Sequence, residues 1–247
     1  MEVNRYLDST YLKTPEQAGL TQEQTREVVY ALADEALAHG IFAVMIRPDF
    51  VGEIKSYLSD KQPEVKVGTV IGFHGGTASL EDKLAEAQKA IADGADELDF
   101  VINYPAYLEG NEALVKSEVE ACTGLCLEKG KIAKWIIEIA ALSDAQIADL
   151  TAKIALWVSS SFSGQEEKVF VKSSTGFYKT EGGKPNGATF EGIAIMLEHA
   201  GKLPVKAAGG VRTPEDARRM IEMGVLRIGT SSALALLGGT AAVDSSY

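Results

Sequence analysis

The chain has 247 residues, 46% hydrophobic and 24% charged, with a formal net charge of −11. That is ordinary for a soluble globular protein and long enough for two domains or for one α/β barrel of about 250 residues. The acidic balance argues against non-specific binding to nucleic acid or to an anionic membrane, and leaves room for a local basic pocket for a phosphorylated metabolite. No apolar run is long enough to span a bilayer, and Met1-Glu2-Val3-Asn4-Arg5 lacks the basic region and apolar run of a signal peptide.

Short apolar runs alternate with longer amphipathic ones. Arg5 to Leu12 reads as a first strand. A helix follows from Thr21 to Ala38, with Thr21 as cap and Gly40 after it. Ile41 to Ile46 is an apolar strand stopped by Pro48, and Asp49 to Leu58 a short helix. Val65 to Phe73 is a β-branched strand ending at Gly75-Gly76, followed by a helix from Ser79 to Asp93. Glu97 to Asn103 is the fourth strand, with a helix from Asn111 to Glu128. Ile132 to Ala140 is the fifth, with a helix from Ser143 to Val158. Val169 to Thr175 is the sixth, and a polar loop from Tyr178 to Ala188 leads to a helix beginning near Thr189. Pro204 to Ala208 is the seventh, and its helix, Pro214 to Met223, has Thr213 as cap and Pro214 at its first position. Leu226 to Gly229 is the eighth, and Ser231 to Leu237 a last short helix. Glu166-Glu167 reads as a solvated turn, and Cys122 and Cys126 as small apolar residues of a reduced protein on one helix.

Eight near-continuous apolar strands alternating with eight helices imply a parallel sheet, and in this length a single-domain α/β fold, the closed (β/α)8 TIM barrel. An open doubly wound sheet is the alternative. The barrel is expected to occupy residues 1–237, with residues 238–247 a mobile tail.

The chemistry concentrates on two lysines inside apolar strands: Val169-Phe170-Val171-Lys172-Ser173-Ser174-Thr175-Gly176-Phe177 and Val205-Lys206-Ala207-Ala208-Gly209-Gly210-Val211-Arg212. An interior ammonium is costly, burial lowers its pKa, and a neutral amine is a nucleophile. Strand alternation puts Asp99, Lys134, Glu138, Lys172 and Lys206 together at the barrel mouth if one parity holds; the opposite parity sends them all outward. A structural ion-pair network is the bland reading of such a cluster. The chemical one is an amine that forms a Schiff base with a carbonyl, kept reactive by the second lysine. After strands seven and eight, Gly209-Gly210-Val211-Arg212 and Gly229-Thr230-Ser231-Ser232 fit the phosphate site of such barrels. Ordinary strand-to-helix turns use the same residues.

These stretches, with Asp96-Glu97-Leu98-Asp99-Phe100-Val101-Ile102-Asn103, resemble the deoxyribose-phosphate aldolase family, over about Leu7 to Ser232. The resemblance implies a metal-independent class I aldolase without a cofactor. It would cleave 2-deoxy-D-ribose 5-phosphate reversibly to D-glyceraldehyde 3-phosphate and acetaldehyde. Lys172 would be the Schiff-base lysine and Lys206 the lysine that depresses its pKa. Asp99 would transfer protons, supported by Lys134. Gly176, Gly209, Gly210, Arg212, Gly229, Ser231 and Ser232 would hold the phosphate. Asp8 and Thr10 would lie near the substrate hydroxyls, and Tyr247 would reach in from the tail. The resemblance also implies a cytoplasmic protein with small-molecule partners, no nucleic acid and no membrane, and a homodimer as one assembly. A related aldolase with another acceptor aldehyde, or a barrel that binds a phosphosugar without turnover, are the alternatives. Four departures stand out: Met45 where many members have a cysteine, His74 after Phe73 in place of the usual proline, Ile139-Ala140-Ala141 after Glu138, and Phe177 where some members carry a basic residue.

Overall fold

The computed structural model describes residues 2–238. Its eight strands are Leu7–Tyr11 (β1), Ala43–Ile46 (β2), Lys66–Ile71 (β3), Glu97–Val101 (β4), Ile132–Ile136 (β5), Val169–Lys172 (β6), Val205–Ala208 (β7) and Arg227–Thr230 (β8). Each pairs in parallel with the next. The ring is closed by β1 on β8, with Leu7 opposite Ile228, Asp8 opposite Gly229 and Ser9 opposite Thr230. That closing pair makes the fold a (β/α)8 barrel and excludes the open sheet.

The α-helices are Pro15–Ala18 (α1), Gln22–His39 (α2), Val51–Leu58 (α3), Leu80–Ala92 (α4), Tyr104–Leu108 (α5), Glu112–Glu128 (α6), Asp144–Ser161 (α7), Phe190–His199 (α8), Pro214–Met223 (α9) and Ala233–Leu236 (α10). Two of them, α1 and α5, are short turns that the periodicity did not signal. Local chemistry sets the helix ends. Thr21 accepts from Gln24 N while the Gln24 side chain accepts from Thr21 N, so the first turn of α2 is closed reciprocally. Gly40, at φ 60°, ends that helix in the left-handed region, which costs glycine little.

The core lies between the ring of strands and the ring of helices. Trp135 of β5 stacks on Phe100 of β4 with centroids 5.0 Å apart, and its Nε1 donates to Thr123 Oγ1 of α6 at 3.0 Å. Both rings are fully buried, and burying one the size of Phe100 contributes about 3 kcal/mol. Cys122 and Cys126 are buried free thiols on α6, as expected. Burial pushes Cys122 up to about 12.

Several strands are shorter than their apolar runs. The first begins only after a 3-10 turn, Val3–Tyr6, and the fifth stops at Ile136, with Glu138 at φ 57° and a 3-10 turn at Ile139–Ala141 beyond it. A left-handed residue breaks the pleat, so the apolar run past it belongs to a turn. Glu166 is buried at 4% exposure, contrary to a solvated turn. Its carboxylate accepts from Gly164 N at 2.7 Å and faces Lys202 at 3.7 Å, which explains how a charge is accommodated there. Among the described residues no helix is long and apolar enough to cross a membrane. Tyr247 and the rest of the expected tail beyond Gly238 lie outside the described residues.

Candidate active site

Parallel pairing sets which side chains share a face. Asp99 of β4 lies opposite Lys134 of β5, and Lys172 of β6 opposite Lys206 of β7, which itself lies opposite Arg227 of β8. All point into the barrel, so the inward parity is the one the chain adopts. Lys172 Nζ and Lys206 Nζ each donate to Asp99 Oδ2 at 2.8 Å. Lys134 Nζ lies 3.0 Å from Asp99 Oδ1, 3.4 Å from Asp8 Oδ2 and in hydrogen-bond contact with Glu97. Lys206 Nζ also sits 2.6 Å from Asp8 Oδ2. Below them Arg227 spans Asp8 and Glu97, donating to both carboxylates.

Four cations therefore face three carboxylates: Lys134, Lys172, Lys206 and Arg227 against Asp8, Glu97 and Asp99. With every group ionised, the cluster carries one positive charge too many for a buried site. Loss of one amine proton restores neutrality. Burial alone would raise Asp99, but Lys134, Lys172 and Lys206 hold it well below the usual carboxylate range. Asp8 is lowered too: Arg227, Lys206 and Lys134 outweigh its desolvation. Lys206 moves the other way, down to about 8, because its desolvation outweighs the pull of Asp8 and Asp99. Lys172 retains 4% exposure whereas Lys134 and Lys206 retain none, so Lys172 is the amine of the three that an incoming molecule can meet.

Three loops close around this cluster. After β6, Ser173 Oγ donates to Ala208 O and accepts from Ala208 N, tying the first residue beyond Lys172 to β7. Gly209 N donates to Gly229 O at 3.3 Å, linking the ends of β7 and β8. Gly229 leaves space for Lys206: a Cβ there would stand 3.2 Å from Lys206 Cε. Gly176 is buried at φ 83°, and its carbonyl accepts from Asn186 Nδ2 at 2.9 Å. Gly176, Gly209, Gly210, Gly229, Ser231 and Ser232 thus sit on the ends of three adjacent strands, and Arg212 is exposed beside them. Thr10 is buried at the end of β1, its hydroxyl donating to Asp8 O at 2.9 Å.

Across the mouth, Phe73 from the end of β3 meets Phe177 from the turn after β6, centroids 5.0 Å apart, with His74 stacked on Phe177 at 5.7 Å. These rings join the segment after β3 to the turn after β6. Met45 is buried, and Gly68 of β3 makes room for its sulfur.

Sequence reasoning named Asp99, Lys134, Lys172 and Lys206 together, and the structure brings them together. Glu138 leaves the set: it is beyond the strand end, and its carboxylate accepts from Thr175 N at 3.2 Å and from the Thr175 hydroxyl. Burial raises it to about 7, against the Thr175 donors and Lys172. Arg227 and Glu97 were missed as site residues. Their signal was present, since each is a charge inside an apolar strand. Gly187 was missed as well: a Cβ there would stand 2.5 Å from the Gly209 carbonyl carbon, so the loop after β6 rests on the one after β7.

A buried amine beside a second amine and a carboxylate, at the strand ends of a barrel, is equipped to attack a carbonyl and to move protons around the adduct. The model of the DeoC/LacD family aldolases matches residues 10–239. The deoxyribose-phosphate aldolase of Thermococcus gammatolerans is 40% identical over 240 residues, covering 97% of this chain and 96% of that protein. That of Caldicellulosiruptor saccharolyticus is 40% identical over 238 residues, covering 96% and 97%. The tetrameric deoxyribose phosphate aldolase from Aeropyrum pernix superposes with a TM-score of 0.75 at 30% identity, over 96% of this chain and 89% of that one. A charged barrel interior, full-length relatives and a matching family model lead to one assignment: the chain belongs to the DeoC/LacD aldolase family.

Proposed function

We propose that this protein cleaves 2-deoxy-D-ribose 5-phosphate reversibly to D-glyceraldehyde 3-phosphate and acetaldehyde through a Schiff base on Lys172, without a metal or other cofactor. The observation that carries the reading is the shared Asp99 oxygen, 2.8 Å from both Lys172 Nζ and Lys206 Nζ. Two amines on one carboxylate oxygen cannot both be charged without strong mutual repulsion, so a neutral amine is available beside a proton carrier.

Neutral Lys172 attacks C1 of the open-chain sugar, and the carbinolamine loses water to an iminium ion. Removal of the proton from the C3 hydroxyl breaks the C2–C3 bond. Its electron pair moves into the iminium, giving an enamine and releasing D-glyceraldehyde 3-phosphate. Protonation at C2 and hydrolysis then release acetaldehyde and the amine. Lys206 holds the charge balance, Asp99 with a water shuttles protons, and Lys134 fixes Asp99 from the next strand. Gly176, Gly209, Gly210, Arg212, Gly229, Ser231 and Ser232 bind the phosphate through amides, hydroxyls and one guanidinium. Asp8 orders the cluster beneath the substrate hydroxyls and Thr10 borders them. Residues 1–237 form the catalytic barrel, and Tyr247 assists the C2 proton step. The setting is cytoplasmic breakdown of deoxynucleosides, and the working assembly is a homodimer.

Borohydride reduction in the presence of acetaldehyde, followed by peptide mass spectrometry, tests this reading. A two-carbon adduct on Lys172, lost in Lys172→Ala, supports it. A folded protein that yields no adduct refutes it.

A further inference from the structure

Glu138 has three features that the proposed reaction does not use. Among the described residues it is the one non-glycine residue with positive φ, at φ 57° and ψ 65°. Such a conformation is strained for a non-glycine residue and persists where surrounding contacts fix it. Its side chain is buried, with 1% of the residue exposed. Two hydrogen bonds to its carboxylate converge from one residue of another loop, the amide and hydroxyl of Thr175. Thr175 in turn accepts from Phe177 N at 3.0 Å through the same hydroxyl. The chain Glu138–Thr175–Phe177 therefore brackets Gly176 on both sides, three to five residues beyond Lys172.

The left-handed turn is what makes this reach available. A residue in extended conformation at 138 would continue β5 and alternate with Ile137, whose amide bonds to Lys172 O at 3.0 Å. Turning the backbone at 138 instead sends the carboxylate over the end of β6, while Ile139 N still pairs with Ser173 O at 2.9 Å. The turn after the reactive lysine is thus held from the neighbouring strand by a buried acceptor.

We infer that Glu138 is a positioning residue for the acceptor's phosphate: by clamping Thr175, whose hydroxyl holds the Phe177 amide, it fixes the Gly176 amide in the direction that receives a phosphate oxygen. This rests on the phosphate role proposed above for Gly176. Glu138 feels the charge of Lys172, but its hydrogen bonds go to Thr175, so its main effect falls on which acceptor is held and little of it on iminium formation.

The test compares Glu138→Ala, Glu138→Gln, Thr175→Val and Thr175→Ser with the parent protein. Three quantities are read: the Kd of inorganic phosphate by calorimetry, the ratio of kcat/KM for 2-deoxyribose 5-phosphate to that for 2-deoxyribose, and the rate of acetaldehyde adduct formation on Lys172. Glu138→Ala and Thr175→Val are each expected to weaken phosphate binding about ten-fold and to lower the ratio by the same factor, through KM. Glu138→Gln keeps an acceptor oxygen and Thr175→Ser keeps a hydroxyl, so both retain most of the binding. The double variant loses no more than either single one, because both break one link. Adduct formation stays within about two-fold throughout. An unchanged phosphate Kd in folded Glu138→Ala overturns the inference, and so does a loss of adduct rate equal to the loss of kcat/KM. The phosphate measurement needs no turnover: absence of the adduct in the parent protein would sink the Schiff-base reading, while the Kd would still decide the role of Glu138.

Discussion

Lys206→Met removes a charge from the barrel interior and keeps most of the side chain's volume. Both Lys172 Nζ and Lys206 Nζ lie 2.8 Å from the same Asp99 oxygen, so the two nitrogens are at most about 5.6 Å apart. At that separation, with an effective dielectric constant of about 20, two positive charges repel by about 3 kcal/mol, equal to about two pKa units. Without Lys206 three cations face three carboxylates, and the electrostatic reason for an amine to give up its proton is gone. With its charges balanced, the cluster gives up a proton only at higher pH. The acidic limb of the kcat/KM profile is therefore expected to move up by about two pH units. Activity at pH 7 falls about a hundred-fold and largely returns near pH 10. The assay is kcat/KM from pH 6 to 10.5, paired with borohydride trapping at both ends and circular dichroism to confirm the fold. A profile lowered uniformly, with its limb in place and no alkaline recovery, would refute the charge-balance reasoning and give Lys206 a direct part in the chemistry.

Arg227→Met leaves Asp8 and Glu97 buried without their shared guanidinium, and a loss of about 3–5 kcal/mol is expected in denaturant unfolding. Asp8 is held below its ordinary value of 3.8 in the folded protein, so the stability it contributes is present above that pH and is lost as pH falls through the lowered value; the variant should acid-unfold at higher pH than the parent. Lys83→Met breaks the buried 2.7 Å pair with Glu118 between α4 and α6 and is expected to cost about the same, whereas Lys83→Met with Glu118→Leu recovers most of it, as thermal melting would show. Gly68→Ala places a Cβ against Met45 Sδ and 3.3 Å from Glu97 O, for an expected loss of about 1–3 kcal/mol by overpacking that Met45→Ala partly relieves. With a thioether at position 45, activity should persist in high acetaldehyde, and Met45→Cys should shorten it; rapid loss in the parent would contradict that.

The barrel was legible because its signal is repetitive: eight apolar runs of strand length between amphipathic helices leave few other closed arrangements. The inward lysines were legible because a cation in an apolar strand has few tolerable positions. Arg227 obeys the same rule and carries the same signal, but its partners Asp8 and Glu97 lie 219 and 130 residues away along the chain, a link the sequence does not display. Asp8 was read as a neighbour of substrate, yet three ion pairs on a fully buried carboxylate depend on strands more than a hundred residues away. Glu138 was placed inward on a strand that ends two residues earlier, since nothing in Ile136-Ile137-Glu138-Ile139 announces a left-handed residue. The support of Gly187 on Gly209 is a contact between loops, and periodicity carries no information about that.

The charged interior also divides the chain in two. Asp8, Glu97 and Asp99 come from β1 and β4, and Lys134, Lys172, Lys206 and Arg227 from β5 to β8. A fragment ending at the Gly130 turn would carry the three acids of the cluster, and the remainder its four bases. Neither half-barrel could close on a copy of itself without burying like charges, while each offers the counter-ions the other lacks. The sequence thus encodes a preference for heterotypic association of its halves, and a chain cut between α6 and β5 is the form in which two separately made fragments would find each other rather than themselves.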